Sequence, residues 1–245
     1  DEEPVVLVLN EVDITSLTSA PIYVRSADKV VITLADGTQN EIADGTDYLL
    51  DEAGEPNAAI FSKADLTING SGTLTVNANF NNGIASKDDL KIVSGTLTVN
   101  AANDGLKGRN SVSLRDGTVV INAGGDGVQS NNDVDAGEGN VVIEGGTIQI
   151  TAALDGIQAE NTLVVNNGTL TVVSGGGSAN GTQISQQWGD WDMREQQADD
   201  GSDISAKGLK AGVLVSITGG NLEIDSADDA IHSNDTLQIL SLIHI

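Results

Sequence analysis

Apolar and polar residues alternate along most of the chain in runs of three to five positions, such as Leu90-Lys91-Ile92 and Leu97-Thr98-Val99. A period of two predicts β-strands with one buried face. The runs come in pairs separated by Ser-Gly or Gly-Gly, and a third short apolar contact follows an Asp-Gly. Aligning the apolar residue after each small one picks out Ile84, Leu106, Val128, Ile157, Leu209 and Ile231, spaced by 22, 22, 29, 52 and 22 residues. The two longer steps equal one unit plus 7 and one unit plus 30, and read as loop insertions.

Strands this short do not make a stable hairpin array. Stacking successive copies solves the problem, because every backbone then pairs with the coil above and below while inward Val, Ile and Leu form columns. Three strands in 22 residues make one triangular coil. The pattern therefore predicts an all-β chain: a right-handed, single-stranded parallel β-helix of about 22 residues per coil. Propeller and sandwich folds are set aside, since blades need roughly twice this period. Residues 1–58 are less regular and read as an N-terminal cap with the first coils. Residues 59–245 hold the regular coils, with a long inserted loop at about 178–206, all in one continuous domain.

Composition narrows the function. With 36 acidic against 11 basic side chains the formal charge is −25, which disfavours nucleic acid and anionic membrane surfaces. Hard cations, which take carboxylate and carbonyl oxygens, would relieve the self-repulsion. Cysteine is absent, so thiol chemistry and disulfides are excluded. No run of about 20 apolar residues predicts a membrane-spanning segment. The chain opens on Asp1 without a Met, as a trimmed start would. Its end, LSLIHI from Leu240 to Ile245, resembles a translated sequencing adapter, so a truncated frame is expected and His244 is discounted; an ordinary apolar strand is the other reading.

Equivalent positions of successive coils stack about 4.8 Å apart. The residue before each small-apolar pair is Asn82, Asp104, Asp126, Asp155, Lys207 and Asp229, which puts three carboxylates in one row. Two readings stand: turn chemistry at each Asp-Gly, or a Ca²⁺ site formed by adjacent coils. Asp228 and Asp229, with Asp199, Asp200 and Asp203 of the insertion, are further candidate ligands or a solvated loop. Lys107 and Lys210 share one column, Arg109 lies near it, and Lys207 interrupts the Asp column. These cations balance charge, or bind a sugar carboxylate, or include a lysine base for proton abstraction. Trp188 and Trp191, in QQWGDWDMR, either stack on sugar rings or anchor their loop. With only His232 and His244, no Ser-His-Asp arrangement is supported.

The text AAIFSKADLTINGSGTLTVNA, GIASKDDLKIVSGTLTVNAANDGLKGRNSVSL, GDGVQSNND, GGTIQITAALDGIQAEN and SAKGLKA…DSADDAIHSND resembles bacterial carbohydrate-binding β-helix proteins related to the family 9 polysaccharide lyases. The resemblance runs from about Ile22 to Asp235. It implies a secreted or cell-surface protein, Ca²⁺ on the flank of the helix, and affinity for polygalacturonate and cellulose-like polymers. The matching positions are Asp104, Asp126 and Asp155 with the Lys207 and Asp229 blocks. The expected function is calcium-dependent binding of an acidic or plant-cell-wall polysaccharide by a monomer. A weak pectate lyase using Lys107, Lys207 or Lys210 as base, and a calcium-stiffened surface adhesin, are the alternatives.

Overall fold

The computed structural model describes residues 3–181 and 205–240. Trp188, Trp191, Asp199, Asp200, Asp203 and His244 lie outside the described residues.

Among the described residues, twenty-five strands pair in parallel to build three walls. The first wall runs in nine strands from Val5–Leu9 to Thr236–Ile239, and the second in eight from Asp13–Ser16 to Asn221–Ser226. The third runs in eight from Ile22–Val24 to Ile231–Ser233. The chain visits the walls in rotation, giving a parallel β-solenoid of about eight turns with about 25 residues per turn. The 22-residue repeat persists in the uninterrupted coils, as in the pairing of Asp89 with Ser111, and corner insertions raise the mean. Residues 1–58 already contribute to all three walls. Among the described residues, no helix is long and apolar enough to cross a membrane.

Alternation explains the interior. Ile22, Ile60, Ile84, Leu106, Val128, Ile157, Leu209 and Ile231 form one inward column of the third wall. The second wall adds Leu74, Leu97, Val119, Ile148, Leu170 and Leu222. Most of these side chains are fully buried, each contributing about 1.5–3 kcal/mol. Because each aliphatic stacks on another in the next coil, the core is one continuous cluster.

Two corners use glycine for different reasons. Between the first and second walls, Gly95, Gly117, Gly146 and Gly168 have φ of 108°, 101°, 88° and 110°, a region costly for residues with a Cβ. Between the second and third walls, Gly83, Gly105, Gly127, Gly156 and Gly208 lack positive φ but have no room for a Cβ. The Asp-Gly pairs at 104–105, 126–127 and 155–156 are therefore close approaches of stacked coils and not left-handed turns.

Insertions fall at corners. The third-to-first corner takes two residues after Leu106–Gly108 and after Ile157–Ala159, but residues 131–139 after Val128–Ser130. The second-to-third corner carries residues 45–57 between Gln39–Asp44 and Ala58–Ser62. The 30-residue insertion leaves the same corner after Thr169–Ser174. Thus long loops border the outer face of the third wall on both sides.

Candidate functional site

Asp104, Asp126 and Asp155 do form one row, and it is buried: their exposures are 3%, 4% and 2%. Each carboxylate caps the next coil. Asp104 Oδ1 accepts the Asp126 N–H (3.1 Å), and Asp126 Oδ1 accepts the Asp155 N–H (2.9 Å). Asp155 Oδ1 accepts the Lys207 N–H (2.8 Å) and the Ser205 hydroxyl (2.7 Å). Asn82 starts the ladder by accepting the Asp104 N–H. The other oxygens face outward, where Lys107, Gln129 and Lys210 donate to Asp104, Asp126 and Asp155 at 2.8, 2.6 and 2.8 Å. A cation on this row would have to displace those donors. Asp126, which has no cationic partner among them, is pushed up to about 6 by burial and by the neighbouring charges of Asp104 and Asp155.

The outward column of the third wall reads Phe61, Ala85, Lys107, Gln129, Gln158, Lys210 and His232. Lys107 and Lys210 share it, as the sequence spacing requires. Over its N-terminal half lies a groove of about 390 Å³ lined by Asn57, Phe61, Ala85, Ser86, Lys87, Lys107, Arg109, Asn131 and Asp133. One side is the loop ending at Asn57 and the other is the insertion after Ser130. Within the first loop, buried Glu55 pairs with both Lys63 (2.6 Å) and Lys87 (2.8 Å). Burial pushes the Glu55 carboxyl up, but the two lysines outweigh it and hold it below the usual range. Among the described residues, the ion-pair partner of Arg109 is loose and exposed, Asp135 at 3.6 Å, so Arg109 is available to exchange for a ligand anion. Tyr23 meets Phe61, which lines the groove, edge-on at 5.5 Å.

At the corner beside this groove, Asp65, Asp88 and Asp89 offer three carboxylate oxygens within 4.8 Å of one another. Register brings them together, since Leu66 pairs with Leu90. Burial, then the charges of Asp65 and Asp89, raise the Asp88 carboxyl above its usual range, while Asn110 and Arg109 oppose the shift. Arg109 thus acts on both the groove and the acidic triple.

The remaining candidates sit elsewhere. Lys207 pairs with Asp228, whose carboxyl that hydrogen bond holds low, and Asp229 pairs with His232 at 2.9 Å. Lys107, Lys207 and Lys210 are all donors to carboxylates and direct no lone pair at a substrate. The sequence reading passed over Lys87, Phe61 and the acidic triple. The recurring text Lys63-Ala64-Asp65-Leu66 and Lys87-Asp88-Asp89-Leu90 was the available signal.

A family model described as carbohydrate-binding domain-containing protein matches residues 1–241. The chain belongs to that carbohydrate-binding domain family. A carbohydrate-binding domain-containing protein of Acetivibrio thermocellus is 54% identical over 98 residues, which are 39% of this chain and 34% of that relative. The match thus spans about a third of the relative's length. A solved structure, of a polysaccharide lyase-like protein from C. thermocellum in a gadolinium derivative, superposes with a TM-score of 0.70. It is 36% identical, over 97% of this chain and 76% of that one. Family and fold agree with the resemblance read from the repeat text.

Proposed function

We propose that this carbohydrate-binding chain takes an acidic polysaccharide, such as polygalacturonate, into the groove outside its third wall, with Ca²⁺ and without cleaving it. One observation carries the reading: Lys87, Lys107 and Arg109 converge on one groove in a chain of charge −25. Each of these cations has a carboxylate partner, so the groove alone is a weak anion site, and a divalent cation would tip the balance. The acidic triple fits Ca²⁺, whose ligand oxygens lie about 2.3–2.6 Å from the ion and hence up to about 5 Å apart. Bound there, Ca²⁺ would supply positive charge and open coordination positions at the groove rim. Binding is favoured over elimination because the three candidate lysine bases are engaged as donors. A polymer of this kind is met outside the cell, so we place the protein in the medium or at the cell surface.

Polygalacturonate affinity should fall about tenfold or more in EDTA, and similarly in a Lys107→Gln/Arg109→Gln variant. Glutamine at 107 keeps Asp104 hydrogen-bonded, as Gln129 does for Asp126. Affinity untouched by both changes would refute the groove, and unsaturated product absorbing in the near ultraviolet would restore the lyase. Calcium should raise the melting temperature of the wild type and do so much less in Asp88→Asn. A full calcium effect in that variant would move the ion away from the triple.

A further inference from the structure

Asparagine precedes glycine at four places: Asn69–Gly70, Asn82–Gly83, Asn167–Gly168 and Asn180–Gly181. Glycine has no Cβ to shield its nitrogen, which leaves that nitrogen open to the side-chain amide of the residue before it. Attack by the nitrogen on the amide carbon begins spontaneous deamidation. The glycine N–H must first be free of its own hydrogen bond, and the asparagine side chain must be free to turn onto it.

Three pairs fail this requirement. Gly70 N–H donates to the Ser94 hydroxyl at 3.1 Å. Gly83 N–H donates to the Asp104 carbonyl at 2.9 Å, and Asn82 is buried with its amide oxygen accepting from Asn103 and from the Asp104 N–H. Gly181 N–H donates to the Ser178 carbonyl, and the Asn180 amide donates to the Gly175 carbonyl, both at 3.2 Å. Asn167–Gly168 meets it. Asn167 is exposed, and among the described residues neither its side chain nor the Gly168 N–H has a hydrogen-bond partner.

The repeat shows what this corner does with a side chain in that position. Register places Thr118, Thr147 and Thr169 in one column, so Asp116–Gly117 stands where Asn167–Gly168 stands, two coils away. There the Gly117 N–H donates to the Asp116 carboxylate at 2.8 Å. The two glycines share one backbone shape, with φ of 101° at Gly117 and 110° at Gly168. This corner therefore brings a side-chain carbonyl group against the nitrogen that would attack it.

We infer that Asn167 is a self-modification site, deamidating in the folded protein ahead of every other Asn-Gly pair. The Gly168 nitrogen bonds to the Asn167 amide carbon and gives up its proton, ammonia leaves, and a cyclic succinimide closes. Water then opens the ring at one carbonyl or the other, yielding isoaspartate or aspartate. Water is the one co-reactant. Aspartate at 167 fits the corner, since Asp116 holds the same place natively. Isoaspartate adds a methylene to the backbone where the first wall turns into the second. Neither the groove nor a carbohydrate enters this chemistry.

Ageing the purified, folded chain in mildly alkaline buffer, with peptide mass mapping and anion exchange, tests it. Asn167 should convert about tenfold or more faster than Asn69, Asn82 or Asn180, because those pairs react only when a hydrogen bond of the fold opens. A more acidic species should grow in step with the converted peptide. In concentrated urea the four pairs should converge on similar rates, since a following glycine is common to all. Asn167→Ser, which installs the residue found natively in this column at Ser94, should remove the acidic species over the same period. Another pair converting as fast as Asn167 in the folded chain would overturn the inference. So would an Asn167 that stays intact in buffer while the unfolded chain converts. The same ranking in urea as in buffer would also overturn it, because local sequence and not the fold would then select the site.

Discussion

Replacing Gly127 with alanine is expected to lower the melting temperature by about 6–12 °C, the equivalent of about 3 kcal/mol in a chain this long. A Cβ at this position would lie 2.3 Å from Ile150 Cγ2 and 2.5 Å from the Gly156 carbonyl oxygen. Neither neighbour can give way cheaply. Ile150 is a core residue, and the Gly156 oxygen accepts the Val128 N–H at 3.1 Å in the pairing of two coils. Relieving the clash means parting those coils, and with them the ladder from Asp126 to Asp155. The backbone angle is not at issue, since Gly127 has no positive φ. Thermal melting followed by circular dichroism checks the prediction, and a wild-type melting temperature would show that the coils separate more readily than this packing implies.

Asp126→Asn should act in the opposite direction, stabilising the chain at pH 7–8 by about 1–3 kcal/mol. The folded pKa of Asp126, about 6, stands above its ordinary 3.8. The folded state therefore binds more protons than the unfolded state between those values, and stability falls as pH rises through that window. The cost is absent below pH about 4 and fully present above about 6. Asparagine removes it while keeping an oxygen for the Asp155 N–H, as Asn82 natively does for Asp104. It also gives a donor to Gln129, whose side-chain oxygen is buried without a partner, once that amide turns over. Melting curves from pH 4 to 8 should show the variant flat where the wild type declines. If instead the variant is the less stable protein in calcium, the ion sits on the Asp row.

The register was legible because every coil repeats the same inward aliphatic after a small residue, so Ile84, Leu106 and Val128 could be aligned without knowing the walls. The same regularity placed Asp104, Asp126 and Asp155 in one row and Lys107 with Lys210 in one column. Spacing gives a column but not its depth. Whether a corner carboxylate faces solvent or the amide of the next coil depends on how closely the coils approach, and glycine at 105, 127 and 156 sets that distance. The Asp-Gly text reads as turn chemistry until the missing Cβ space is seen. Asp65 and Asp89 escaped notice because their coil is 24 residues long, out of step with the 22-residue unit. The groove was hidden for a related reason: its sides are loops of irregular length, and Lys87 becomes a site residue only once those loops rise beside it.

Parallel stacking also determines how this molecule carries load. Its strands lie across the long axis, so the hydrogen bonds joining coils point along it. Tension between a surface and a captured polymer would fall on those bonds, shared by three walls within a junction and repeated in series from junction to junction. The weakest junction yields first, and it yields alone. A coil of 22–29 residues that peels away frees roughly 75–100 Å of slack, while the coils beyond it keep their shape. A tether built this way gives ground in steps and does not snap.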